Sequence, residues 1–223
     1  MSMICFRQYV KEDFNAVVKL ITLLLDSKNF ELNKKFFTWK YIENPFSNTV
    51  LAFVATENDK IISFRGYVAS EYKLNDDIYP IALLSDTITL PEYRGQGVFR
   101  RLTDFSLKFL CDLNYFKAIL NLTPSWTPTR GYLEMGWTSL TQQVSFYSID
   151  LKSLFLFNSE FKDDKSIKLS GYKIVVSKKQ LKKELLGFYD DTKKYKQLES
   201  NKTSEYLDFK YSNPNLDYIY IYL

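Results

Sequence analysis

The sequence predicts an α+β fold: a mixed, mainly antiparallel central sheet with helices on both faces and one βαβ crossover. Three observations lead there. Apolar residues recur at helical spacing near the start of the chain. From residue 50 to residue 90 the period falls to two, or to short apolar runs, parted by turns rich in Asn and Asp. A strand, a glycine turn, a helix and another strand then follow over residues 84–122. Hairpin-linked strands pair antiparallel, whereas a strand–helix–strand crossover sets its two strands parallel.

Residues 3–9 alternate as a short strand. From Phe14 the apolar positions are 14, 17, 18, 21, 24 and 25, one face of a helix. Leu32, Phe36 and Trp39 carry the spacing into a second helix, which stops at Asn44-Pro45 because proline has no N–H to extend it. Val50–Ala55, Ile61–Ala69 and Ile78–Leu90 read as a three-stranded meander. Its turns, Glu57-Asn58-Asp59-Lys60 and Asn75-Asp76-Asp77, hold residues that tolerate left-handed backbone. After Pro91-Glu92-Tyr93-Arg94-Gly95-Gln96-Gly97 a helix places Val98, Leu102, Phe105, Phe109 and Leu113 on one face, and Phe116–Leu122 returns as a strand. Residues 123–136 read as loop and short helix, and residues 137–149 as strand. Beyond Asp150 the composition shifts to Lys, Ser and Asp, and Ser177-Lys178-Lys179-Gln180 has capping-box spacing before Leu181, Leu185 and Leu186. The division expected is a domain over 1–150 and a C-terminal extension over 151–223.

That extension contains an echo. Phe37-Thr38-Trp39-Lys40-Tyr41-Ile42-Glu43-Asn44-Pro45 recurs, one residue shorter, as Leu207-Asp208-Phe209-Lys210-Tyr211-Ser212-Asn213-Pro214, and each copy leads into a strand-like run. Either two Tyr- and Lys-rich stretches coincide by chance, or 151–223 opens a second copy of the same unit.

Composition narrows the chemistry. With 46% hydrophobic and 25% charged residues, and 18 Phe, 17 Tyr and 3 Trp, the chain has the balance of a folded globular protein rather than a solvated coil. No run of 18 apolar residues is present, so no membrane span is expected, and the first residues do not read as a signal peptide. Histidine is absent altogether, which removes Ser-His-Asp and Cys-His hydrolases and His-ligated metal sites. Cys5 and Cys111 are the two cysteines, too few for a four-thiolate zinc site. Read as buried free thiols, they suit a reducing compartment, the cytoplasm. The net charge of +4 reads as a solvated surface more than a nucleic-acid footprint. A nucleic-acid-binding protein, drawing on the basic charge and the aromatics, is retained as a lesser alternative.

Gly95 and Gly97 sit between a strand and a helix. Unpaired N–H groups and the positive end of a helix dipole meet there, which suits an anion, and glycine lets a phosphate approach the backbone. A dinucleotide fingerprint needs glycine where Arg100 stands, and a Walker loop needs Gly-Lys-Ser/Thr where Gln96-Gly97-Val98 stands. The turn is therefore either a phosphate loop of another kind or simply tight.

The run Leu90-Pro91-Glu92-Tyr93-Arg94-Gly95-Gln96-Gly97-Val98-Phe99-Arg100-Arg101-Leu102 resembles the acyl-CoA pyrophosphate loop of the GNAT N-acetyltransferase superfamily, Arg/Gln-x-x-Gly-x-Gly/Ala. Arg94 and Gly97 match its first fixed positions; Phe99 replaces the last small residue, which leaves the loop less open. Tyr132-Leu133-Glu134-Met135-Gly136-Trp137 is similar to the family's Tyr-x-Lys-x-Gly-Phe, with Glu134 in place of Lys. Trp39-Lys40-Tyr41-x-x-Asn44-Pro45 resembles a bacterial branch of these enzymes in which a second such motif opens another acyltransferase-like half. The resemblance covers residues 3–149.

It implies an N-acetyltransferase that moves an acetyl or other acyl group from acetyl-CoA to a primary amine by direct transfer, without a metal. The backbone from Gly95 through Gln96, Gly97, Val98 and Phe99 to Arg100 would hold the pyrophosphate, with Arg94, Arg100 and Arg101 supplying charge. Ile88, Thr89 and Leu90 would bind the acyl carbonyl and pantetheine. Asn121 and Ser125 either bond the pantetheine amides or cap the next helix. Tyr132 stands where the family's general acid stands; a phenol near ~10 is protonated at neutral pH and can protonate a thiolate near ~8.5. Asp86 and Glu92 are candidate bases, although Glu92 equally reads as a solvated loop acid and a water chain can serve instead. Trp39 and Tyr41 either line the acceptor pocket or pack in the core, and Cys111 reads as a small core residue. The partners implied are acyl-CoA and a small amine, an amino sugar among the candidates, with no nucleic acid; the chain would be a monomer or homodimer. The rival is a catalytically degenerate CoA-binding regulatory or interaction domain, favoured by Phe99 and Glu134.

Overall fold

The computed structural model describes residues 3–25, 29–122, 126–139, 165–169, 172–177, 199–216 and 220–222. Strands β1 (Ile4–Gln8), β2 (Ala52–Glu57), β3 (Lys60–Leu74), β4 (Asp77–Thr89) and β5 (Ala118–Asn121) form one sheet in that order, antiparallel except for the β4–β5 pair. The meander follows from its turns: Asn58, Asp59 and Asn75 take φ of 47°, 63° and 58°, the left-handed backbone that Asn and Asp tolerate. Helix α3 (Val98–Asp112) makes the crossover between β4 and β5, as the strand–turn–helix–strand order predicts. Helix α4 (Trp126–Glu134) follows β5.

Each face of the sheet carries its own core. On one side α3 and α4 cover Phe53, Tyr67, Ala82 and Leu84, with Val98, Leu102, Leu110 and Tyr132. On the other, α1 (Phe14–Ile21), α2 (Phe30–Phe37) and the turn after it bring Val17, Ile21, Phe37 and Tyr41 onto Val54, Phe64 and Ile88. The buried stripe of the second helix is out of phase with the expected Leu32, Phe36 and Trp39, by one residue in the α-helix and by two in the turn that follows it. Asn33, Phe37 and Tyr41 turn inward instead, and Asn33 reaches Thr22 Oγ1 of the neighbouring helix (3.0 Å). A buried asparagine bonded to its neighbour hides the apolar period. Leu24 and Leu113, expected on helix faces, are exposed, and so are Cys5 and Cys111. The buried-thiol reading is therefore wrong: Cys111 lies on the outer side of α3, next to but not within the inward set Val98, Leu102, Ser106 and Leu110.

Helix α2 does not end as an α-helix. Thr38–Ile42 continues it as a π-helical turn, the form that one inserted residue produces. The echo places the extra residue at Ile42 or Glu43, which together stand opposite Ser212. Helix α5 (Ser204–Tyr211) runs through the shorter copy as regular α-helix. Both copies then close in the same turn: Asn44 Oδ1 accepts the N–H of Phe46 (2.8 Å), and Asn213 Oδ1 that of Asn215 (2.9 Å). The aligned Phe37 and Leu207 are both buried. Each copy leads to a strand antiparallel to an earlier one, β2 on β1 and β9 (Tyr220–Tyr222) on β7 (Tyr172–Ser177); β6 (Lys165–Leu169) pairs the other edge of β7. A short strand β8 (Glu199–Ser200) pairs the far end of β3. Residues 137–139 form no strand; the rest of the strand expected to Ile149 and most of the capping box at 177–180 lie outside the described residues.

Candidate active site

The site begins where β4 leaves its neighbour. The parallel pairing ends at Leu84↔Asn121, but β4 runs on to Thr89, so residues 85–89 have no partner strand on that side among the described residues. On its other side β4 carries an extra residue. Between Arg65↔Thr87 and Tyr67↔Leu84, three steps on β4 face two on β3, a bulge at Ser85–Asp86 opposite Gly66.

Tyr41 fills the bulge. Its ring lies where a side chain on Gly66 would be, its hydroxyl donates to Asp86 Oδ2 (2.7 Å), and the Asp86 N–H donates to the Tyr41 hydroxyl oxygen (3.4 Å). Lys40 Nζ donates to the same carboxylate oxygen (2.8 Å). Burial, then the Asp86 charge and hydrogen bond, pushes the Tyr41 phenol well above its ordinary range, so it remains a donor. The widened π turn aims Lys40 and Tyr41 at Asp86 while Asn44, three residues on, bonds Ala69 O (3.1 Å). Trp39 turns the other way. It stacks on Phe209 (5.1 Å, 19°) and donates Nε1–H to Phe209 O (2.7 Å) and to Ser212 Oγ (3.1 Å). Of the two expected pocket aromatics, Tyr41 is therefore a buried partner of Asp86, and Trp39 joins the two copies of the motif.

Beyond Thr89 a short 3-10 turn, Pro91–Tyr93, leads into the glycine turn. Gly95 and Gly97 both have φ of 73°, and Gly97 is the cap from which α3 starts; a Cβ on either would meet nothing within 4 Å, so the loop's outer side is open. Side chains brace the loop from within: Arg94 Nε to Thr89 O (3.2 Å), Gln96 Nε2 to Glu92 O (2.8 Å) and Arg101 Nη2 to Gln96 O (3.3 Å). Val98 points into the core and Arg100 to solvent. Glu92 is exposed and paired with Lys60 (3.4 Å); its own backbone N–H and then Lys60 hold its carboxyl below the usual range, the opposite of what a base near neutrality needs.

Phe99 does not narrow the loop, contrary to the sequence expectation. Its ring turns inward, 5.3 Å from the Tyr132 ring and above the guanidinium of Arg65. Gly131 leaves room for it, since a Cβ there would stand 3.3 Å from Phe99 Cε1. Glu134 faces solvent and pairs with Arg130 (2.9 Å) one helical turn away.

Tyr132 is fixed by the way α4 ends. The N–H of Trp137 bonds Tyr132 O (3.1 Å), the N–H of Gly136 bonds Leu133 O (3.0 Å), and Gly136 has φ of 88°. This is a Schellman end, and the Trp137 ring packs on Tyr132 (5.1 Å) as its hydrophobic contact. The spacing Tyr-x-x-x-Gly-Trp is thus a helix stop that orients the tyrosine. Tyr132 is 3% exposed, and Arg65 Nη1 donates to its hydroxyl (2.8 Å). Arg65 and Lys40 escaped the sequence reading. The one signal for Arg65 was a charge inside the apolar run Ile61–Ala69; Lys40 meets Asp86 only through a contact 46 positions apart. Asn121 is the half-buried end of β5, and Ser125 lies outside the described residues.

Solved structures share this architecture. An aminoglycoside N-acetyltransferase, AAC(6')-Iy, in complex with CoA is 18% identical over 67% of this chain and 97% of its own, with a TM-score of 0.54. Glucosamine-6-phosphate N-acetyltransferase from Arabidopsis thaliana (15% identity, 65% and 98% coverage) and a possible acetyltransferase from Clostridium difficile 630 (15%, 66% and 98%) both give a TM-score of 0.50. No curated protein is similar enough to match. The acetyltransferase (GNAT) domain model matches residues 6–139, more than half of the sequence. The chain therefore belongs to the GNAT acetyltransferase family, a family of acyl-CoA N-acyltransferases.

Proposed function

We propose that this protein transfers an acetyl or related acyl group from acyl-CoA directly to a primary amine, in a ternary complex. The observation that carries the reading is the open edge of β4 beyond Leu84, which runs straight into an open glycine turn at the start of α3. The edge offers the backbone of Thr89 to the pantetheine amides and acyl oxygen, with Asn121 opposite; Ile88 and Leu90, expected to share that role, turn to β3 instead, where the Ile88 carbonyl accepts from Ser63 Oγ (2.8 Å) and the Leu90 N–H donates to Ile62 O (2.9 Å). The turn offers N–H groups and a helix dipole to the pyrophosphate. Acetyl-CoA supplies the activated thioester.

The chain's residues divide the remaining work. Tyr132 holds the proton for the departing thiolate. Because a guanidinium can only donate, the bond from Arg65 uses the phenol oxygen as acceptor and leaves the hydroxyl hydrogen for another partner. Asp86, steadied by Lys40 and Tyr41, takes a proton from the acceptor's ammonium to give the neutral amine that attacks, or orients that amine once a water chain has taken the proton. Amino sugars and other small amines are the acceptors to screen; the names of two structural neighbours, an aminoglycoside and a glucosamine-6-phosphate N-acetyltransferase, lie within that chemistry. Residues 151–223 serve as the opening of a second GNAT-like half, which the shared helix, Asx turn and strand order supports. The cytoplasm, where acyl-CoA is made and used, is the setting this reading needs.

Calorimetry with CoA, followed by thiol release over an amine panel, tests it. Wild type and Tyr132→Phe should bind CoA alike, with turnover in the variant down by about 10²–10⁴-fold. No CoA binding at millimolar ligand would end the reading. Binding without thiol release from any amine would make this a CoA-binding domain without catalysis, and wild-type turnover in Tyr132→Phe would remove Tyr132 as the acid.

A further inference from the structure

Arg65 is 0% exposed. Wholly buried cations are rare unless a carboxylate or other anion partners them. The half-exposed Arg7 shows this chain's usual solution, a two-pronged bond to Asp13 (2.6 and 2.8 Å). Arg65 has no such partner: it takes part in none of the ion pairs among the described residues. One donor, Nη1, bonds Tyr132. The rings of Phe99 and Tyr132 stand 5.0 and 5.4 Å from the guanidinium carbon, and the Tyr67 hydroxyl, whose short bond is to Ser106 (2.8 Å), is close enough to feel the Arg65 charge and to share a weak hydrogen bond with it. Among the described residues, Nε and Nη2 are buried without a hydrogen-bond partner of good geometry.

Those two nitrogens are not a random pair. In the planar guanidinium, Nε–H and Nη2–H lie on one edge and point the same way, the edge that grips both oxygens of a carboxylate. A single oxyanion or a thiolate would engage it with one atom. Aromatic rings can soften the burial of the charge, but neither they nor the Tyr67 hydroxyl, held at 2.8 Å by Ser106, give these two N–H groups a two-pronged acceptor.

We propose that Arg65 is a carboxylate receptor in the reaction centre, so that one of the two co-substrates carries a carboxylate next to the reacting atoms. Two sources share that chemistry: an acyl-CoA whose acyl chain ends in a carboxylate, and an amine acceptor that is an amino acid. The assignment rests on the acyltransferase reading for which co-substrate brings the carboxylate; the unpartnered edge of Arg65 stands apart from it. The half-buried ring of Phe99 is the side chain that must yield for a ligand to arrive.

The test uses the full chain, with Arg65→Met and Arg65→Lys. Free CoA is titrated first. One arm then compares succinyl-CoA with acetyl-CoA in binding. A second compares glycine and glutamate with their amides in thiol release from acetyl-CoA. A third follows the unfolding temperature in acetate and succinate without CoA. In wild type at least one of the first two arms should favour the carboxylate by about tenfold or more, and both variants should reduce that preference to about twofold or less while free CoA binds as before. Arg65→Met gives up the bond to Tyr132 along with the buried charge, so the comparison is made on ligand preference in folded protein; should it fail to fold, Arg65→Lys, which keeps the charge but lacks the two-pronged edge, carries the comparison. Equal treatment of acid and neutral ligand by wild type in both arms, or a preference that survives both variants, overturns the proposal. If free CoA does not bind, the acyltransferase reading falls and the third arm decides alone: carboxylate stabilisation that is lost in the variants upholds Arg65 as the receptor, and its absence in wild type overturns it.

Discussion

At the scale of single residues, the contact least open to substitution is Gly66 under the ring of Tyr41. A Cβ at 66 would lie 2.4 Å from the Tyr41 hydroxyl oxygen and 2.5 Å from two ring carbons. The ring cannot swing aside cheaply, because it is buried between Phe37 and Phe64 and its hydroxyl is bonded to Asp86. Gly66→Ala should therefore cost about 1–3 kcal/mol in chemical denaturation, the usual range for overpacking a core. It should also lower turnover, since Asp86 loses one of its two donors. Pairing it with Tyr41→Leu makes the argument testable. The double variant should be less destabilised than the sum of the two single changes, because the leucine vacates the space the new methyl needs. Strict additivity would mean that the backbone at the bulge, not the ring, limits residue 66.

At the scale of elements, much could be read ahead of the structure. The meander was legible because its turns use Asn and Asp at the positions that adopt positive φ, and the crossover because the glycine turn separates a strand from a long amphipathic helix. The second helix was legible in place but not in phase. Its inward face includes Asn33, and its last turn is widened by a residue, so neither polarity nor a 3.6 period marks the buried side. Of the site, the loop and Tyr132 could be found from local motifs. The Lys40–Asp86 and Arg65–Tyr132 contacts could not, because they join residues 46 and 67 positions apart that only the sheet register brings together. The π turn gives this scale its own prediction. Ile42 is 45% exposed, so Ile42→Ala should change stability by no more than about 0.5 kcal/mol. Deleting Ile42 restores the length of the second copy and a regular helix, but turns Asn44 by about 100° about the helix axis relative to Tyr41. Tyr41 and Asn44 then cannot both reach Asp86 and Ala69, and the loss should be about 2 kcal/mol or more, the worth of two buried hydrogen bonds. A deletion as mild as the substitution would show that the widened turn does not aim those side chains.

At the scale of the whole molecule, the two copies of the motif hold each other. Trp39 of the first stacks on Phe209 of the second and donates to its carbonyl, and Phe46, just past the first Asx turn, packs against Tyr206 and Phe209. On the far side of the sheet β8 adds to the end of β3, with Asn201 bonded to Glu71 through both backbone (2.8 Å) and side chain (2.9 Å). Residues 199–216 are thus tied to β3 at one end and to the first copy of the motif at the other, and the turn that carries Lys40 and Tyr41 is also the turn that carries Trp39. Loosening the second copy should therefore be felt at Asp86. A double-mutant cycle of Trp39→Leu and Phe209→Leu should give a coupling of about 1–2 kcal/mol, from one aromatic stack. The indole N–H to the Phe209 carbonyl, lost in Trp39→Leu whatever stands at 209, adds about 1 kcal/mol to that single variant alone. Hydrogen exchange locates the effect. In Trp39→Leu, amides of residues 204–211 should lose protection most, those of 38–42 next, and those of β2 and α3 least, because the stack bridges the first two segments and does not touch the others. Uniform loss across the chain would instead make residues 199–216 part of a single cooperative core, and unchanged exchange at 38–42 would break the proposed link between the second copy and Asp86.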